Sequence, residues 1–295
     1  MSMKFKAHQS FFIRKGWLSK GLQAVEADNT IFMPSRSKDA MDELGIGANQ
    51  VVALRYWLET TGLIEKSNKE HKLTLLGESI LNNDPYIEEI GTLWALHCNI
   101  ASNSDEATSW YYLFNEYGGT TFTKDSFTKG IDSYVRANGD GKEIATSSIE
   151  ADFSCIANTY ITHEQLTGRR ESPESVIDCP LGELKILSTE GRANNRTLRK
   201  MPANTSILPK DLILYAIKGM DGLDDEIKID TLLNAPCSPG RLFNLDSVAL
   251  LTKLYELQDS GDLSMTRTAG LDVVRLADDE LQQYKYLEKY YESIE

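Results

Sequence analysis

Two groups of residues in this 295-residue chain have the types and spacing to act on a phosphate backbone. Glu183-Leu184-Lys185 matches the Glu-x-Lys half of a metal-dependent nuclease site, where a carboxylate holds a divalent cation and the lysine helps activate water. Such a site also wants an earlier aspartate a strand away. Asp178 is close enough, and Asp152 is an alternative on a predicted helix. Mg or Mn would be the metal, and the nearby cations Arg192, Arg196, Arg199 and Lys200 could hold the phosphate. A three-residue match also arises by chance, and then Glu183 and Lys185 are plain surface charge.

The second group reads as a DNA-docking surface. Asn49, Gln50 and Tyr56 lie on a helix predicted from Ala48 to Thr61. At about 100° per residue, Asn49, Ala53 and Tyr56 fall opposite the Val51, Leu54 and Leu58 stripe. An asparagine near a helix N-terminus can pair bidentately with adenine, and it can equally be a local cap. Arg55 falls beside the stripe, as an ion pair or a phosphate contact. Lys66, Lys69, His71 and Lys72 follow between two short strands, Leu63-Ile64 and Leu73 to Leu76, where the cations could reach phosphates.

These residues need a scaffold, and the local signals supply one. Ser37 is a good N-cap for a helix carrying Ala40, Met41 and Leu44. Gly45-Ile46-Gly47 gives a left-handed stop and a tight corner. Helix, turn, helix and hairpin in that order spell a winged helix, which also serves elsewhere as a protein–protein or architectural module. Aromatic-rich helices are predicted over 86–103 and 105–117, and Gly118-Gly119 is a boundary candidate. A second unit carries Phe127, Ile131 and Val135 on one helix, a turn at 138–141, and Ile149, Phe153, Ile156 and Tyr160 on another. The stretch 163–173 reads as a charged loop, and Leu181–Leu187 is a short apolar element of either type.

A third unit has helices over 208–218 and 224–233, a break at Pro236 to Gly240, a helix marked by Leu245 to Tyr255, and a hairpin at 263–268 and 271–276 with Arg267 and Arg275. The acidic helix 278–295, with Tyr284, Tyr286, Tyr290 and Tyr291, should pack on the body. The expected fold is mainly α with short β-hairpins, as multiple winged-helix-like units over residues 1–118, 119–190 and 191–295.

A net charge of −13 opposes DNA binding in sum, but its distribution does not. The first 25 residues carry Lys4, Lys6, Arg14, Lys15 and Lys20 with no acid, and 191–210 carries Arg192, Arg196, Arg199, Lys200 and Lys210 with none. Each is either a solvated loop or part of a local basic track. No apolar run reaches the ~18 residues of a membrane span, and no secretory leader is evident. Cys98, Cys155, Cys179 and Cys237 are scattered, which argues against structural zinc or a disulfide framework and fits a cytoplasmic protein. His97, between Leu96 and Cys98, reads as a satisfied core histidine; His8 and His163 have no recognisable partners.

Several stretches are similar to the domain-of-unknown-function 4007 family: Phe5 to Gly21, with His8, Ser10, Arg14, Trp17 and Lys20; Gly45 to Trp57; Leu73 to Gly77; and Thr92 to His97 with Ala107 to Asn115. The likeness is dense over 4–116 and continues through Cys179 to Leu184 to the final hairpin. The resemblance implies a helical, winged-helix protein that binds double-stranded DNA beside bacterial phosphorothioation enzymes. Those partners would be a cysteine desulfurase, an ATPase and an enzyme like phosphoadenosine-phosphosulfate reductase. In the Ssp-type, single-strand-modifying systems it implies nicking before sulfur insertion, and it carries no catalytic residue over. The rivals are a winged-helix transcriptional regulator, against which the lack of a dimerisation coiled coil speaks, and a scaffold that binds only the other enzymes.

Overall fold

The computed structural model describes residues 3–139, 143–167, 178–191, 196–268, 271–278 and 280–294. It is mainly helical, with three small antiparallel sheets. The N-terminal part holds α1 (Trp17–Ala27), α2 (Ser37–Leu44) and α3 (Ala48–Thr60). Gly45, at φ 67°, ends α2 in the left-handed region, and Gly47 starts α3 from an extended backbone with its N–H on Gln50 Oε1 at 3.0 Å. Ser37 is not the cap its type suggested. A 3-10 turn over Pro34–Arg36 runs straight into α2, and Ser37 already has helical backbone angles.

The hairpin is tighter than expected: its first strand starts one residue later and runs three further, and its second lies three residues earlier. β1 (Ile64–Ser67) pairs with β2 (Glu70–Leu73), leaving Asn68, at φ 58°, and Lys69 as the turn. Thr74 belongs to no strand: its Oγ1 accepts from the Gly77 N–H at 3.0 Å and caps α4 (Leu75–Asn83). A Cβ on Gly77 would collide with the Leu63 carbonyl, so only glycine lets α4 press against the start of the hairpin. α5 (Ile90–Ser102) and α6 (Thr108–Tyr111) follow, and α6 runs into a π-turn over Tyr112–Glu116.

The middle stretch runs β3 (Thr121–Thr123), α7 (Lys124–Asn138), α8 (Thr146–Tyr160) and α9 (His163–Thr167), where a loop was expected; 168–173 lies outside the described residues, as do 140 and 141 of the expected turn. A 3-10 turn (Pro180–Leu184) leads to β4 (Leu187–Glu190) and β5 (Thr197–Lys200), in the order β3-β5-β4. The last stretch comprises α10 (Lys210–Lys218), β6 (Ile227–Lys228), α11 (Ile229–Asn234), α12 (Pro239–Leu242), α13 (Ser247–Asp259), β7 (Leu263–Thr268), β8 (Leu271–Leu276) and α14 (Gln283–Ile294), with strand order β6-β8-β7. The helix expected from Asp224 begins only at Ile229, because buried Ile227 pairs with Val274 as a strand. α14 packs on the body as its spacing suggested. Tyr286, Tyr290 and Tyr291 are buried, and the Tyr290 ring lies so close to α5 that a Cβ on Gly91 would strike it.

One continuous apolar core runs through all three stretches, and α5 is its axis, buried from Gly91 to Cys98. His97 joins the parts. Its Nε2 lies 2.9 Å from the Leu242 carbonyl at the end of α12, and its Nδ1 lies 2.8 Å from the Tyr160 hydroxyl at the end of α8. A carbonyl only accepts, so Nε2 carries the proton and Nδ1 accepts from the tyrosine. Burial holds this imidazole down to about 4, from an ordinary value of 6.5. Between those values the unfolded chain binds the proton and the folded one does not, so stability is lost as pH falls from 6.5 towards 4. The loss from this group should reach about 3 kcal/mol, at 1.36 kcal/mol per pKa unit. Urea unfolding across that window should show a shallower pH slope in His97→Gln than in the natural chain. Equal slopes would show that His97 does not titrate on unfolding.

Candidate nucleic-acid interface

Most of the circumference of α3 is spent on the core. Val51, Ala53, Leu54, Tyr56, Trp57, Leu58 and Thr60 are buried, leaving one edge: exposed Asn49 and Val52, half-buried Arg55 and Glu59. Tyr56 was expected on the open face, and this is corrected. It is 7% exposed, and its hydroxyl donates to the Glu106 carbonyl at 2.8 Å. The helical-wheel reading failed because the N-terminal segment and α6 cover the side opposite the Leu54 stripe: His8 stacks on Trp57, and Trp110 meets Trp57 edge-on. Gln50 is half-buried and holds the Gly47 N–H at 3.0 Å, whereas the exposed Asn49 has no side-chain hydrogen bond among the described residues.

The hairpin stands beside this edge. His71 points inward: it is buried, edge-on to Phe32, with Nε2 3.1 Å from Glu59 on α3 and its N–H on the Asn29 carbonyl at 2.8 Å. It is therefore a tether between hairpin and helix, not one of the outward cations. Burial lowers its pKa, Glu59 opposes that, and the charges of Arg55 and Lys66 add to the lowering. Arg55 and Lys66 are thus both near the helix–hairpin junction. Arg55 reaches the Phe32 carbonyl at 3.4 Å. Lys66 and Lys69 are exposed and meet no carboxylate among the described residues, whereas Lys72 pairs with Glu65 at 2.8 Å.

The two acid-free stretches are not acid-free in space. Lys4 pairs with Glu106 at 2.6 Å and Lys15 with Glu88 at 3.2 Å, while the Arg14 guanidinium covers the Trp17 ring at 5.2 Å. In the second stretch Arg196 donates to the Leu166 carbonyl at 2.8 Å, Arg199 pairs with Glu190 at 3.3 Å, and Lys210 pairs with Asp262 at 2.9 Å. Lys200 turns inward to the Leu113 and Tyr117 carbonyls. Arg192 lies outside the described residues. Exposed pairs of this kind are worth about 0–1 kcal/mol, so Lys15 and Arg199 can exchange a carboxylate for a phosphate at little cost.

The nuclease-like fragment is not assembled. Glu183 is exposed on the one-turn 3-10 helix and Lys185 follows it in the left-handed region at φ 53°, so neither lies on a strand. Asp178 accepts from the His163 N–H at 3.0 Å. Asp152 is 2% exposed and fully engaged: it accepts from the Ser109 hydroxyl at 2.6 Å and the Lys6 N–H at 2.8 Å, and it meets His8 Nε2 at 2.8 Å. That buried cluster, which also gives His8 its partner, fastens the N-terminal segment to α6 and α8. Among the described residues no three His, Cys, Asp or Glu side chains gather in a way that could hold a metal ion. Glu183 belongs to no such group among the described residues. No described helix is long and apolar enough to cross a membrane.

A family model described as a protein of unknown function, DUF4007, matches residues 5–291. Two solved structures of SspB resemble the chain. The magnesium ion-bound form has a TM-score of 0.84 at 25% identity, covering 99% of this chain and 88% of that one. A second SspB structure has a TM-score of 0.82 at 24% identity with the same coverage, and it speaks for the fold alone. No curated protein matches.

Proposed function

The chain belongs to the DUF4007 family, and from that membership and the likeness to SspB we propose that it is the DNA-binding component of a bacterial DNA phosphorothioation system. Its α2–α3–β1–β2 segment then acts as a winged helix, with the Asn49 end of α3 towards the major groove and the hairpin on phosphates. The observation that carries this reading is the geometry of the junction: α3 leaves the Asn49–Arg55 edge open, and the hairpin tied to α3 through His71 exposes Lys66 on β1 and Lys69 in its turn, neither meeting a carboxylate among the described residues. The strand orders β3-β5-β4 and β6-β8-β7, each with helices between the first strand and the hairpin, support winged-helix units in the other two stretches. Its partners would be double-stranded DNA and the sulfur-inserting enzymes, in the cytoplasm, with a role in phage defence.

Strand nicking is the finer part of the proposal. It would draw on a divalent cation, Mg or Mn, and the magnesium ion-bound form of SspB supports including one. Among the described residues no group of three potential metal ligands forms around Glu183, so no hydrolytic step is routed through Glu183 and Lys185.

The affinity of a duplex should fall with salt at about 0.9 log units per log unit for each phosphate neutralised. Replacing both Lys66 and Lys69 by Ala should lower that slope by roughly 1.8, and an unchanged slope and affinity would remove the hairpin from the interface. Lys72→Ala should do less, since Lys72 is already paired with Glu65.

Asn49 separates base reading from backbone contact. Asn49→Ala should weaken binding to a preferred sequence by about 1–3 kcal/mol and leave binding to unrelated duplex almost intact. Equal loss on every sequence, with a lower melting temperature, would make Asn49 part of the helix end only.

A further inference from the structure

Lys200 and Arg241 form a cationic pair that the helix–hairpin surface does not use. Lys200, on β5, points two of its three ammonium protons at the Leu113 and Tyr117 carbonyls, 2.9 Å each. Arg241, on α12, donates through Nε to the Asn234 carbonyl at 3.0 Å. Neither has a carboxylate within ion-pair reach among the described residues, and the terminal guanidinium nitrogens of Arg241 have no acceptor there. Burial and the neighbouring guanidinium together hold the Lys200 ammonium down to about 8. An anion between the two would relieve that repulsion.

Both side chains line one cleft of about 530 Å³, between the Tyr117–Thr120 turn and the start of α13. This is within the ~300–1,000 Å³ range of small-molecule sites. One wall is bare backbone: a Cβ added at Gly118 would meet nothing within 4 Å. Asp246 is the single carboxylate on the lining, and it is engaged in capping α13, accepting from the Ala249 N–H at 2.8 Å. The first N–H groups of α13 have no intrahelical acceptor, and Ser247, the first residue of that helix, is on the lining. A forked guanidinium, a point-charge ammonium and free backbone donors suit the several oxygens of a phosphate better than the two of a carboxylate.

We propose that this cleft binds the phosphate ester of a nucleotide, taken either as a free nucleotide or as one phosphate of a DNA strand. The site stands on β5, α12 and α13 and does not rest on the α3–hairpin reading.

Calorimetric titration with deoxyadenosine monophosphate, and separately with a short single-stranded oligonucleotide, tests it in the full chain. Two variants report on the cleft without disturbing the carbonyls that Lys200 holds. Arg241→Gln removes the fork, and Gly118→Asp places a carboxylate on the open wall. Saturable binding of the monophosphate, weakened at least tenfold in each variant and unchanged when Lys66 and Lys69 are replaced by Ala, is the expected result. Binding of the oligonucleotide alone, lost in the same two variants, assigns the site to a strand phosphate and supports the proposal equally. Binding of neither probe, or an affinity that either variant leaves unchanged while its unfolding midpoint stays natural, overturns it.

Discussion

The His97 imidazole is the constraint on which the arrangement of this chain depends. It belongs to α5, accepts from Tyr160 of α8 and donates to the backbone of Leu242 at the end of α12, so three separate stretches of sequence meet on one ring. The ring is wrapped by Phe114, Tyr160 and Trp94 edges with centroids 4.7 to 5.8 Å away. Both nitrogens are satisfied only in the neutral Nε2–H tautomer, so a buried polar group becomes a specification of geometry. A shift of any one stretch would strand a donor or acceptor where no water can replace it.

That demand shapes the surface left for function. A chain whose helices are used on several sides has little outward face to offer. α3 shows only the Asn49–Val52–Arg55–Glu59 edge, and the hairpin beside it is tied down through His71 to Glu59. The proposed recognition surface is therefore narrow and pre-set in angle, which suits docking into a groove more than adaptive binding. The acidic total then works as a filter. Several cations of the acid-free stretches are already paired with acids, and Lys66 and Lys69 outside and Lys200 with Arg241 in the cleft are among those that meet no carboxylate among the described residues.

Much of the fold was legible, because its signals are local. Gly45 in the left-handed region, the 3.6-residue periodicity of α7, α8 and α13, and the β7–β8 hairpin all follow from neighbours in sequence. So did the core placement of His97. What could not be read is what depends on contacts between residues distant in sequence. Tyr56 sits on the polar-looking side of a wheel, but α6 and the N-terminal segment cover that side. The acid-free run before residue 26 meets Glu106 and Glu88, and Lys200 is drawn inward by the Leu113 carbonyl in the π-turn and the Tyr117 carbonyl just after it. Glu183 and Lys185 have the spacing of a nuclease fragment but not the strand that would give the spacing its meaning. Ile227 reads as helical until its partner Val274 is known.

The central claim is that DNA lies on the α3 edge and the hairpin. Amide hydrogen exchange of the full chain, with and without a saturating duplex, tests it most directly. The account predicts slowed exchange concentrated over residues 47–52 at the start of α3 and 64–73 of the hairpin, the stretches that hold Asn49, Lys66 and Lys69. A duplex that binds and slows exchange elsewhere while leaving both of these stretches unchanged would contradict it.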